Sequence, residues 1–299
     1  MASRAGKRGH GRREHRREAQ LPLGETDAIE VNESSPVIIA FRGFQTQLDA
    51  KYDKHERLVK KSRDVTIQSK RIIFLLHRYV GSSNKEAVLK EAEQKLEEVE
   101  QSFIKQIALE LQGEDVYLYL RAISPGLQEY VEALSFYHYL TTKSLITLPE
   151  VQSRLEFDLG SPCPEAEQTD ADTTAAASAS AGTPPVARVP LPTSEFMLGI
   201  ADLTGELMRL AISSLGVGDA ARPFELCGFM RAILDGFLTV GGAAASREVA
   251  RKVATLRQSV HKVEAACYAL RVRGSEMPSH RLADVFREAE PAAPDTEVM

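Results

Sequence analysis

The sequence contains no tryptophan, and aromatic residues make up only 6% of it. That scarcity argues against base stacking as the main way of gripping a nucleic acid. Three cysteines, Cys163, Cys227 and Cys267, are too few and too scattered for a disulfide scaffold or a cysteine-based metal site. A reducing compartment is the natural expectation. No apolar run approaches the roughly 18 residues of a membrane span, and no signal-type apolar segment follows the basic N-terminus. Charge is uneven along the chain. The chain carries −5 in all, yet residues 1–20 hold seven Lys/Arg against two Glu, which leaves −10 for the remainder. Nucleic-acid contact by the body of the chain must therefore use a local basic surface. From residue 34 onward, nothing alternates in the manner of a sheet.

What is present is helical. With 299 residues, 43% of them hydrophobic, the chain can build one sizeable core or two small ones. Residues 1–33 read as a disordered basic arm. Within it Lys7, Arg8, Arg12, Arg13, Arg16 and Arg17 suit a nuclear-import signal or a loose nucleic-acid arm, with simple solubility as the plainer reading. Ser35 and Pro36 start a helix that runs to about Tyr79 without another proline, a length of roughly 60 Å. Its basic residues, among them Lys54, Arg57, Lys61 and Lys70, form either a solvated face or a phosphate-binding stripe.

Asn84 is placed to cap a helix from Lys85 to Gln112, and Gly113 ends it. A short helix over 114–122 is expected, then one capped by Ser124 with Pro125 in its first turn. Thr147 and Pro149 predict a short helix through about Phe157. Residues 158–192 hold six prolines and the tract TTAAASASAGT, and read as a flexible loop inserted into a helical domain, or else as an interdomain linker. Further helices are expected near 193–215, 223–238, 244–272 and 278–288, and residues 289–299 read as a frayed end. The result is a single helical domain over 34–288, interrupted by the loop.

Two acidic pairs carry the chemistry. In SPGLQEYVEALSFYHYL, from Ser124 to Leu140, Leu127, Val131 and Leu134 form one apolar stripe, and Gly126, Ala133, Phe136 and Leu140 another. Glu129 and Glu132, three apart, interrupt the second stripe. Such a pair is either solvated surface or, if enclosed, in need of a cation or a shared proton. In LGIADLTGELMRL, Asp202 and Glu206 are four apart and adjacent on one face. Gly199 and Gly205 flank them, which suggests close approach by a neighbouring helix, and Arg209 can neutralise Glu206 or reach a phosphate. Brought face to face, the four carboxylates would hold a hard divalent cation, Mg²⁺ or Mn²⁺ rather than iron or zinc. His55, His77, His138, His261 and His280 show no ligand spacing. An oxygen-bound cation beside basic helices suits phosphodiester cleavage, with Glu132, by its central position, as the proton acceptor.

The strings GLQEYVEALSFYHYL, GIADLTGELMRLAISSLGVGDAARPFE and KVEAACYALRVRGSEMP, with the first helix over 34–78, resemble the factor X branch of the translin family across nearly all of 34–288. The resemblance implies an all-α, seven-helix, elongated translin-type bundle that assembles with translin into a hollow hetero-oligomer. It further implies a Mg²⁺-dependent endoribonuclease for single-stranded or nicked RNA, acting in passenger-strand removal during RNA silencing and in transfer-RNA precursor processing. Glu129, Glu132, Asp202 and Glu206 fall on the family's active-site acids, as catalytic and metal-binding residues. Translin itself has no aspartate at the Asp202 position, so the chain is not expected to be translin. The expected partners are translin, single-stranded RNA or single-stranded DNA, and the nuclear-import machinery, with no membrane. The expected location is cytoplasm and nucleus. The alternative is a non-catalytic partner that binds nucleic acid, stabilises translin and carries it between compartments.

Overall fold

A computed structural model describes residues 34–159, 186–240 and 247–273. The basic arm with its import-signal residues Lys7, Arg8, Arg12, Arg13, Arg16 and Arg17, the interior of the inserted loop, Cys163, the 278–288 helix and the C-terminal end all lie outside the described residues. Two units divide the chain, at residues 1–50 and 51–299. The described part of the first is the start of helix α1 (Pro36–His77). There Val37, Phe41, Phe44 and Leu48 recur at helical spacing and are all exposed, with Phe41 and Phe44 in edge contact at 5.9 Å.

The second unit is built around α4 (Val116–Thr142), buried along most of its length from Val116 to Leu140. The remaining helices are α2 (Lys85–Val99), α5 (Leu148–Arg154), α6 (Thr193–Gly216), α7 (Arg222–Val240) and α8 (Arg247–Arg273). Helix α2 runs on through a π-helical turn, Glu100–Ile104, into α3 (Lys105–Glu110). Counting that run once, the described residues form an all-α, seven-helix fold with one small two-stranded ribbon. Helix α6 packs on α4, α8 packs on α6, and α7 lies against both α6 and α8. One apolar core takes residues from both sides of the insertion, Leu127 and Leu134 before it and Leu203 and Leu207 after it. Among the described residues, no helix is long and apolar enough to cross a membrane.

Local chemistry explains the starts of several helices. Asn84 caps α2 by accepting the Ala87 N–H, and Thr147 and Glu150 form a reciprocal capping box on α5. Ser124 does not cap anything. One continuous helix runs through it, capped by Asp115, with Pro125 in its interior. A proline there removes an intrahelical hydrogen bond and normally bends or breaks the helix. Helix α1 engages the backbone on either side of the proline: the Ser62 hydroxyl donates to the Ile123 carbonyl at 3.3 Å and accepts the Gly126 N–H at 3.1 Å. Gly126 is required for that approach, since a Cβ there would lie 2.7 Å from the Ser62 oxygen.

The flanks of the insertion are also more ordered than the sequence suggests. Strands β1 (Glu156–Asp158) and β2 (Val186–Arg188) pair antiparallel, with Phe157 opposite Ala187. Ala187, Val189 and Leu191 are buried, and the Gln152 side chain holds the backbone of Val189 and Leu191. The short helix expected through Phe157 therefore stops at Arg154, and Phe157 becomes a strand residue.

Candidate active site

The packing of α4 on α6 places the two acidic pairs in one electrostatic environment. Gly199 makes the contact close, because a Cβ on it would lie 2.7 Å from the Val131 side chain and 2.9 Å from the Gln128 carbonyl. Gly205 has open space around it, so of the two glycines only Gly199 serves close approach. All four acids are half-buried.

Three of them are held by basic groups. Lys70 of α1 lies 3.7 Å from Glu129. Lys252 of α8 contacts both carboxylate oxygens of Asp202. Glu206 meets the His77 Nε2 and also Arg209, at 3.2 Å. Among the described residues, no hydrogen bond or ion pair holds Glu132. Burial, and then the charges of Glu129, Asp202 and Glu206, push its carboxyl up to about 8, with Lys252 offsetting part of the rise. Glu129 is also raised, by burial first. Lys70 opposes that rise, and Asp202 and Glu206 add to it.

In these rotamers no three His, Cys, Asp or Glu side chains of the described residues converge on a point that could hold a metal ion. The reason lies in the pairings: Asp202 is turned onto Lys252, and Glu206 onto His77 and Arg209. The donor set itself fits a hard cation, being carboxylate oxygen on two facing helices with one acid uncompensated. Glu129, Glu132, Asp202 and Glu206 would be its ligands after side-chain rotation.

Sequence reasoning noticed Arg209 but missed the roles of His77 and Lys252, and left Lys70 among general basic residues. Lys70 and His77 are seven apart on α1 and so share a face, a signal that was available. The lower half of the basic stripe is used within the fold. Lys54 pairs with Glu114 at 2.6 Å, while Arg57 and Lys61 both reach Glu110, at 3.0 and 3.2 Å. His138 reaches Ser144 and stands apart from the acids. Cys227 and Cys267 are free thiols, and burial pushes Cys267 up to about 12.

Seven helices packed in this order form an all-α fold of the translin type. Residues 53–274 match the translin family, and the chain belongs to it. It is 47% identical to translin-associated protein X of Pongo abelii over 287 residues, 96% of this chain and 95% of that protein. The corresponding Mus musculus protein is 46% identical over 287 residues, covering 94% of each. A homolog in Schizosaccharomyces pombe is 25% identical over 240 residues, covering 79% of this chain and 89% of its own. Among solved structures, apo-NeC3PO has a TM-score of 0.53 at 17% identity, over 75% of this chain and 93% of that one. AfC3PO in complex with duplex RNA has a TM-score of 0.55 at 17% identity, over 80% of this chain and all of that one. These two likenesses carry the fold alone.

Proposed function

We propose that the chain is the catalytic subunit of a Mg²⁺-dependent endoribonuclease, assembled with translin and hydrolysing phosphodiester bonds of single-stranded or nicked RNA. The observation that carries this reading is Glu132: an unpaired carboxyl held at about 8 in the midst of three paired acids. A purely structural network would pair it or replace it, since a buried uncompensated carboxyl opposes folding in its charged form. A bound Mg²⁺, or Mn²⁺, would polarise the phosphoryl oxygen and lower the pKa of an attacking water. Glu129, Glu132, Asp202 and Glu206 would hold the ion, whose charge would offset the crowding that keeps Glu132 protonated; the freed Glu132 carboxylate then accepts the proton of the attacking water as the new P–O bond forms. The bond to the leaving oxygen breaks, and that oxygen takes up a proton from solvent, or the one Glu132 has accepted, to leave as a hydroxyl. Arg209 and Lys70 stand ready to meet phosphate charge.

Association with translin is the role named for the close relatives, and RNA is the partner named for one structural neighbour. The exposed stripe Val37, Phe41, Phe44 and Leu48 is of the kind a partner subunit covers. Passenger-strand removal in RNA silencing and transfer-RNA processing are the reactions this reading places it in. Residence in both cytoplasm and nucleus, through the arginines of the arm, is the location. The second reading, a non-catalytic scaffold that binds nucleic acid and stabilises and transports translin, is favoured by one fact: three of the four acids already have basic partners.

The test is cleavage of a labelled single-stranded RNA by the chain reconstituted with translin, in Mg²⁺ or EDTA, wild type against Glu132→Gln. Metal-dependent cleavage that falls by about 10²- to 10⁴-fold in an intact mutant complex is the expected result. A well-assembled wild-type complex that cleaves no RNA structure offered to it gives the scaffold reading.

A further inference from the structure

Asp202 is held unlike the other paired acids. Glu206 is gripped from two elements, by His77 and Arg209, and Glu129 faces a Lys70 that is 58% exposed and 3.7 Å away. Asp202 has both of its oxygens on one ammonium, that of Lys252, at the end of a flexible stem from a different helix. Lysine is a compact point charge that sets little geometric demand, in contrast with the fixed fork of arginine. It therefore competes with a hard cation for the same pair of oxygens and can yield to one without disturbing the backbone.

A structural clamp between α8 and α6 is the simpler reading, but the helices do not need one. Helix α8 contributes Val249, Leu256, Val260 and Val263 to the apolar core, and α6 contributes Leu203, Leu207 and Leu210. That seam holds the pair together. On the neighbouring position of α8, Arg251 is 76% exposed and pairs along its own helix with Glu248, so the inward turn of Lys252 is particular to that residue.

We infer that Lys252 is an exchangeable counter-cation: it holds Asp202 until a divalent ion takes that carboxylate, and then offers its ammonium to the phosphodiester bound there. This inference rests on the metal-dependent reading above. Its signature is a pair of effects of opposite sign. Removing the ammonium should help the metal bind and hinder the reaction, whereas loss of an ordinary structural contact would weaken both.

The experiment uses the full chain in its complex with translin. Mn²⁺ binding is titrated in the absence of RNA by calorimetry and by the free-ion electron paramagnetic resonance signal, for wild type, Lys252→Met and Lys252→Gln. Both variants should bind Mn²⁺ about five- to tenfold more tightly, the order expected on removing one partly buried ionic competitor. At saturating Mn²⁺, single-turnover cleavage should be at least about tenfold slower than wild type. If the wild type binds Mn²⁺ and the variants bind it equally or more weakly, Lys252 is a clamp and the inference falls while the proposed function stands. Tighter binding with unchanged cleavage overturns the phosphate contact. If neither wild type nor variants bind Mn²⁺, the metal reading itself fails and takes this inference with it. The glutamine variant keeps a polar, hydrogen-bonding side chain, so it separates competition from a packing defect in the methionine variant.

Discussion

Helix α4 meets carboxylates in two places, in different company. At one, Glu100 is buried at the π-helical turn and accepts the Tyr130 hydroxyl at 2.6 Å and the Arg154 guanidinium at 2.7 Å. At the other, beginning one residue away at Glu129, four acids share a half-buried space, and among the described residues one of them, Glu132, has no hydrogen-bond or ion-pair partner. The first arrangement is complete: every charge has a fixed geometry, and a further ligand has nothing to gain. The second leaves one crowded acid without a fixed partner, and it keeps a proton that an isolated carboxyl would lose. That open valence is the feature on which the proposed metal-dependent reading rests.

The contrast can be broken in order of expected size. Glu100→Ala should cost about 3 kcal/mol of stability, because it strands the buried Tyr130 hydroxyl and the half-buried Arg154 charge. Urea unfolding would measure it, and a loss well under 1 kcal/mol would mean the triad is dispensable. Glu132→Gln should act in the reverse direction and depend on pH. The folded carboxyl titrates at about 8 against 4.5 for an unperturbed one, so folding takes up a proton between those values. The stabilisation this provides is full below the lower value and is lost as pH rises through the upper one, an effect on the order of a few kcal/mol. Unfolding midpoints at about pH 5 and about pH 9 should therefore differ less for Glu132→Gln than for wild type. Equal slopes would show that the acid is not shifted.

Two smaller substitutions address the helix spacing that brings the acids together. Gly199→Ala pushes a methyl against Val131 and the Gln128 carbonyl, and should cost about 1–3 kcal/mol. Gly205→Ala meets nothing, and should instead stabilise the fold by roughly 0.5–1 kcal/mol through helix propensity. If the two alanines behave alike under thermal denaturation, the close α4–α6 approach is not what Gly199 is for.

Much of this was legible in the residues, and the part that was not has a common cause. Helical spacing in Leu127, Val131 and Leu134, and in Ile200, Leu203 and Leu207, fixes which faces are buried, and the acids are read directly from their i,i+3 and i,i+4 positions. The starts of α2 at Asn84 and of α5 at Thr147 follow from capping chemistry within four residues. Ser124 misleads because its local signal, a serine before a proline, is overridden by Ser62, sixty-two residues earlier. Strands of three residues are too short to show alternation, and Ala187 is buried by its pairing rather than by a pattern. Lys252 belongs to the site only because α8 crosses α6, and no spacing on α8 announces that crossing.

The register of the small ribbon has a structural meaning. Asp158 lies opposite Val186, so the chain leaves the core and re-enters it at a single place, with Phe157 and Ala187 closing the base. The ribbon thus ties the end of α5 to the approach to α6 through paired backbone, so the acid-bearing α6 starts from a point fixed on the core.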